Sequence, residues 1–580
     1  MKSFITARRT SILQTLFILA VIGVSIWAGI STITAEKRPT QGQTNQEYQE
    51  VLTHLEVISR DIHPSGSQQI EEVRNYIISE AEALGYDVEI EPFTVEDRNG
   101  NERELANLLV HIDQKNASES VMFVSHYDGT DGGPAAGDDG IGVASMLSAM
   151  KYISRKNDLK NDIYFLITDG EEMGLEGASY FVRSHTDLMN DVKLVANFEA
   201  RGNSGALLMF QTSRNNRNIV KMLQNSLQQF AGYAFVSELY KHMNNDTDLS
   251  EFLNAGWPGV NFAVLSGAEV YHMPEDTCEN LNKDTGYMYY NTCRNLIDTL
   301  SVMDLSELEA DQDVFYFPLL QSLSISYSKL TANLTQIILC VSVIALMAFM
   351  IGKRQISFRK VLLSIGLTLG TMIATSILVF LMNMILNQVL IKYGYIHVDT
   401  LKGLIEARET TNIILTALIL CLAGVIFSVT AKKFKNIQEL MFGTILLLEV
   451  GVIATMVVFP SISFLFSVPL FAMFLCTLIH YLVRVKAKGR STAKATAYLT
   501  IAITIFMIIV IMLPVLVLVF ESLFVYLPFV KYAYYLAAFL GFVSCCIIQT
   551  AAGLRMISTI EENMVQGYTE QIPLEDHSNE

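Results

Sequence analysis

Cysteine is scarce, with seven in 580 residues and no CxxC pair among them. That excludes a zinc site built on thiolates. Five of the seven (Cys340, Cys421, Cys476, Cys545 and Cys546) lie in apolar runs. Cys278 and Cys293 remain for the charged part of the chain, where they either pair in an oxidising compartment or stay buried thiols. Positive charge is also short, 41 Lys and Arg against 58 Asp and Glu, for a net charge of −17. Phosphate contacts need clustered Lys and Arg, so nucleic acid is excluded as a partner. The chain has no internal repeat. Its apolar spans lack the paired acidic and basic side chains of a transport path, except for Glu449 and His480, which read first as helix-interface residues.

Long apolar runs are present, and all but one are in the C-terminal half. The first, Leu13 to Ile30, follows Lys2, Arg8 and Arg9. It is longer than a usual signal core, and no small-x-small site closes it, so residues 1–35 are expected to be an uncleaved anchor. Residues 36–310 carry most of the charge and read as a water-exposed domain. A membrane region, 327–552, follows, with seven spans near 331–351, 361–390, 412–431, 438–459, 461–483, 495–520 and 528–550. Basic clusters at Lys353–Arg354–Arg359–Lys360, Lys432–Lys433–Lys435 and Arg484–Lys486–Lys488–Arg490 fall in alternate loops. The positive-inside rule then puts the 36–310 domain outside the cytoplasm and the acidic tail, 553–580, inside. The chain is thus expected to be a multi-pass protein of the lipid bilayer.

Within the charged domain, alternation predicts strands at Asp87–Phe93 and Leu105–Ile112. Apolar runs predict further strands at Val121–Ser125, Ile163–Thr168, Val192–Phe198, Leu207–Gln211 and Gly259–Val264. Helical spacing marks Asn45–Arg60, Gln69–Leu84, Ile141–Ile153 and Gly177–Ser184, with Ser67 as a cap and Gly85 as a stop. Strands alternating with helices imply an α/β fold of three layers around a mixed, largely parallel sheet.

The chemistry gathers at the strand ends. Val121–Ser125 delivers His126 and Asp128, and a Gly-rich loop then presents Asp138 and Asp139. Glu171 and Glu172 follow one strand, Glu199 ends another, and His272 comes later. Imidazole and carboxylates are ligands that zinc accepts. Asp138 is placed to bridge two ions, with His126 and Glu199 on one and Glu172 and His272 on the other. Asp128 is expected to hold the His126 ring from behind. Glu171 diverges from its neighbour and is free to act as general base for the attacking water and acid for the departing amine. His63, His111, His185 and His242 lack matching partners and read as surface or turn residues. Asp246 and Asp248 either support the site or form an Asx turn. Arg201 reads as a structural ion pair or a carboxylate binder, and Tyr271 as packing or as a donor to a tetrahedral intermediate.

These motifs, in order, resemble the M28 family of zinc peptidases: His126-x-Asp128, Gly137-Asp138-Asp139-x-x-Gly142, Gly170-Glu171-Glu172-x-Gly174, Asn197-x-Glu199 and Tyr271-His272-x-Pro274-x-Asp276. His63-Pro-x-Gly-Ser67, Asn197-Phe-Glu-Ala-Arg-Gly202 and Asp246-Thr-Asp248 resemble its membrane-embedded subgroup, which includes endoplasmic-reticulum and vacuolar forms. The resemblance implies a phosphorylase/hydrolase-like α/β/α exopeptidase domain over residues 45–305, with two zinc ions and Glu171 as base. It also implies aminopeptidase or carboxypeptidase action on peptides, and a cis bond between Asp138 and Asp139. Glu199 departs from the Asp of many members. Glutaminyl cyclases share the fold with one zinc. Two other functions compete with hydrolysis: a non-catalytic scaffold that keeps the fold, and a transport-associated protein.

Overall fold

The computed structural model describes residues 2–97, 100–114, 117–243, 245–385, 401–430, 433–434, 437–486, 490–524 and 537–552. The chain falls into two compact units, one holding residues 30–332 and the other holding residues up to 29 and most of those from 333 onward.

The first unit is built on an eight-stranded sheet, in the order β1-β2-β4-β3-β5-β8-β6-β7. The strands are β1 Val88–Glu96, β2 Glu102–Ile112, β3 Ser120–His126, β4 Asp162–Thr168, β5 Val192–Ala200, β6 Leu208–Thr212, β7 Ala231–Gly232 and β8 Gly259–Val264. The central four, β4-β3-β5-β8, run parallel, whereas β1 and β2 pair antiparallel with their neighbours, and β6 pairs antiparallel with β8 and parallel with β7. The sheet is therefore mixed, and the carboxyl ends of the parallel strands open on one edge, where α/β sheets bind ligands.

Both faces of the sheet are covered, which is why β3 reads as a continuous apolar run. Met122, Val124, Tyr164 and Leu166 pack with Phe181, Phe252 and Trp257 in one core. Alternate residues point to the opposite face, where Phe123 stacks on Phe165 with ring centres 5.4 Å apart. Each such side chain, fully buried, contributes about 1.5–3 kcal/mol. The helix Gln68–Ala83 begins where the Ser67 side chain accepts the N–H of Ile70 at 3.2 Å. It ends before Gly85, whose φ of +88° suits glycine.

A hairpin, β9 Val314–Leu320 with β10 Leu323–Ser328, lies where no element is predicted from the sequence. Pro318 inside the first run argues against a strand. A two-stranded ribbon tolerates it, because each strand has a free edge. Cys278 and Cys293 are separate free thiols.

Among the described residues, six helices are long and apolar enough to cross a membrane: Ile12–Ser31, Lys329–Gly352, Phe358–Met382, Gln438–Val458, Pro460–Val483 and Ala495–Val519. The shorter apolar helices Thr416–Thr430 and Ala537–Ala552 fall in the other two predicted spans. The break between 438–459 and 461–483 comes at Pro460, which starts a new turn because it cannot continue the ladder before it. Glu449 and His480 are both buried here. Lys432, Lys435, Lys488 and the 553–580 tail lie outside the described residues.

Candidate active site

Four parallel strands and two loops converge on one cleft. β3 ends in His126, β4 leads into the turn with Glu171 and Glu172, and β5 carries Glu199 as its next-to-last residue. Asp138 sits in the turn Ala136–Gly140, joined to Asp139 by a cis peptide bond. His272 follows β8 with a φ of +59°, a left-handed conformation that is uncommon outside glycine. Such strain concentrates at functional positions.

Asp138 faces both imidazoles. Its Oδ1 is 3.4 Å from His126 Nε2 and its Oδ2 is 3.2 Å from His272 Nε2. Glu199 Oε2 lies 3.7 Å from His126 Nε2, and Glu172 Oε1 lies 2.8 Å from His272 Nε2. Two triads result, His126–Asp138–Glu199 and Asp138–Glu172–His272, and each could hold a metal ion. Neither Nε2 makes a hydrogen bond, although both are buried beside carboxylates. Buried imidazole nitrogens that face carboxylate oxygens outside hydrogen-bond geometry fit a cation held between them.

Charge supports the same fit. Burial, then the Glu199 charge, raises the Glu171 carboxyl well above its usual range. Burial raises Glu199 likewise, and Glu172 is raised mainly by burial. Burial would also raise Asp138, but His126 and His272 outweigh it and hold this group at about 2. Burial alone would lower His272, yet Asp138 and Glu172 lift it to about 9. The cluster is thus short of positive charge, which bound dications supply.

Asp128 lies behind the His126 ring, at the nitrogen turned away from Asp138. His126 Nδ1 lies 2.9 Å from the Asp128 backbone carbonyl and 3.4 Å from the carboxylate. The carboxylate also accepts the N–H groups of Glu171 at 3.1 Å and Glu172 at 3.2 Å. Asn197 orients Glu199 through a 3.2 Å bond from its amide.

The role of Asp139 was not legible in the sequence. Asp139 accepts a hydrogen bond from the Ser125 hydroxyl. Asp248 is fully buried and accepts the Thr168 hydroxyl at 2.5 Å, and burial lifts it to about 6. Among the other histidines, His63 and His185 depart from the surface reading. His63 is buried, with Nδ1 2.8 Å from the Asp61 carbonyl. His185 pairs with Glu91 at 2.6 Å and stacks on Phe181, and His111 pairs with Asp162 at 3.0 Å. Only a long-range partner distinguishes such residues from surface histidines. His242 is in an exposed turn. Tyr271 stacks on the His272 ring with centres 3.7 Å apart, and the Arg201 guanidinium lies 5.9 Å from the Tyr271 ring.

Asp138, Glu171 and Glu199 form the polar end of a cavity of about 120 Å³. Its wall includes Phe210, Phe235, Leu239, Tyr240 and Leu265, with Asp246 and Arg201 also on it.

Residues 107–297 match Peptidase family M28. The chain is 26% identical over 310 residues to the "Vacuolar membrane protease" of Candida dubliniensis, covering 50% of this chain and 32% of that protein. It is 27% identical over 333 residues to the "Putative endoplasmic reticulum metallopeptidase 1" of Schizosaccharomyces pombe, covering 51% and 40%. The matched stretch therefore spans less than half the length of either relative. Among solved structures, an aminopeptidase from Aneurinibacillus sp. strain AM-1 aligns with a TM-score of 0.39 and 12% identity, over 44% of this chain and 95% of that one.

Proposed function

We propose, from the match of residues 107–297 to Peptidase family M28, that the chain is a membrane-anchored zinc exopeptidase that removes amino-terminal residues from peptides. The observation that carries this reading is Asp138, with one carboxylate oxygen toward each imidazole and no hydrogen bond at either Nε2. His126, Asp138 and Glu199 would hold one zinc ion, and Asp138, Glu172 and His272 the other. When bound, zinc polarises the scissile carbonyl and eases deprotonation of water.

Glu171 acts as base, taking the proton of the attacking water and passing it to the departing amine. Burial holds its carboxyl well above the usual range. The acidic groups in the cavity, Asp246 among them, suit the free α-ammonium of a peptide. The apolar wall at Phe210, Phe235 and Leu239 suits a large apolar first side chain. The alternate basic loops favour a catalytic domain outside the cytoplasm.

Carboxyl-terminal cleavage is the second reading, favoured by Arg201 on the cavity wall. The test uses the full-length protein in detergent, wild type beside Glu171→Gln, on peptides blocked at one end or the other. Cleavage of amino-free peptides only, lost in the variant with zinc retained, is the expected result. Zinc-loaded wild type that cleaves neither set, or a fully active variant, refutes it.

A further inference from the structure

We propose that Ser65 is a positioning residue for the general base, coupling the Glu171–Glu172 turn to a buried Asp169–Arg74 brace. The proposal rests on the reading of Glu171 as the base of a peptidase.

The Asp128 carboxylate anchors that turn through the two backbone N–H groups. An anchor fixes position only if it is itself held. Ser65 Oγ lies 3.1 Å from Asp128 Oδ2 and 2.7 Å from Asp169 Oδ1, between the two buried carboxylates. A hydroxyl has one proton, so it donates to one carboxylate at a time and keeps the pair in register.

Asp169 is rigidly held in turn. Its Oδ2 accepts the Ala106 N–H at 3.1 Å, the Tyr127 hydroxyl at 3.1 Å and the Arg74 guanidinium at 3.2 Å. Arg74 Nε also donates to the Tyr127 hydroxyl at 2.7 Å. Tyr127 lies between His126 and Asp128 in sequence, and Asp169 lies just before Gly170 and Glu171. The brace thus joins both arms of the site through main chain, and Ser65 closes the ring from a separate turn. That turn is docked where the Gly129 N–H meets the His63 carbonyl at 3.3 Å.

The experiment compares full-length wild type, Ser65→Ala, Ser65→Thr and Arg74→Lys. It measures zinc content, kcat, KM, and amide exchange of segment 169–174 in the metal-free protein. For Ser65→Ala the expected result is unchanged zinc and KM, kcat lower by about tenfold or more, and faster exchange in that segment. Ser65→Thr keeps the hydroxyl and restores both. Arg74→Lys cannot serve two acceptors as a fork does, and reproduces the loss. Wild-type exchange in Ser65→Ala, or equal impairment in Ser65→Thr, overturns the proposal. The exchange arm needs no turnover, so it decides the positioning role even if an active Glu171→Gln removes the base assignment.

Discussion

Asp276 holds the main chain of Asp138: its Oδ1 accepts the Gly137 N–H at 2.7 Å and its Oδ2 the Asp138 N–H at 3.3 Å. The loop that carries His272 therefore also fixes the turn that carries the shared carboxylate. Asp276→Ala leaves two buried donors unpaired, at a cost of about 1–3 kcal/mol. We expect zinc affinity to fall about 10- to 100-fold, by the precedent of lost supporting bonds. Asp276→Asn, which keeps one acceptor, is milder. Competition against a chromophoric chelator measures both, and unaltered affinity in the Ala variant contradicts the assignment.

The two glycines before Pro134 lie against the His272 loop. A Cβ on Gly132 would come within 2.1 Å of the His272 carbonyl oxygen, and one on Gly133 within 2.0 Å of the Met273 carbonyl oxygen. Backbone atoms cannot swing aside as a flexible side chain can. Gly133→Ala should displace His272, lowering bound zinc and activity together. Gly23→Ala, with nothing within 4 Å, is the neutral control. Equal zinc in the two variants by atomic absorption refutes the close approach.

Metal removal should destabilise the protein, and more so at higher pH. Glu171 and Glu199 have folded values raised above the ordinary carboxylate range, chiefly by burial. The metal-free fold then keeps protons that the unfolded chain has released, so its stability falls as pH rises above the unfolded value of 4.5. Zinc at a hundredfold excess over Kd adds about 2.7 kcal/mol per site. Melting curves with and without a chelator should separate further from pH 5 to pH 7. A gap that narrows over that range is the opposing result.

His54 gives the reverse pH signature. Burial lowers its imidazole below the ordinary 6.5, against the raising effect of Glu80. Its ring nitrogen lies 2.8 Å from the Tyr76 hydroxyl. The unfolded chain takes the proton first as pH falls, so this contribution is intact above 6.5 and is lost as pH drops toward the lower folded value. His54→Gln should flatten stability between pH 6.5 and 5 in chemical denaturation. An unchanged slope rules out that contribution.

The strands and helices that position the site were legible because burial imposes local periods. The Val121–Val124 stretch of β3 is apolar because helices cover both sheet faces, and Ser67 caps its helix within three residues of the N–H it accepts. Pro318 hid the hairpin for an equally local reason. It violates a strand rule that a free edge relaxes.

The sequence by itself brought forward the candidate ligands, since His126, Asp138, Glu172, Glu199 and His272 stand at strand ends and tight turns, where ligands belong. Tertiary structure alone decided how they are held. Ser65 meets Asp169 across 104 positions, and Asp276 meets Gly137 across 139. Folding brings such pairs together with no periodicity to announce them. The same holds for His63, whose burial and carbonyl contact with Gly129 arise only when one turn docks on another. Local pattern records what each segment buries. Contacts between segments depend on where every other segment has gone.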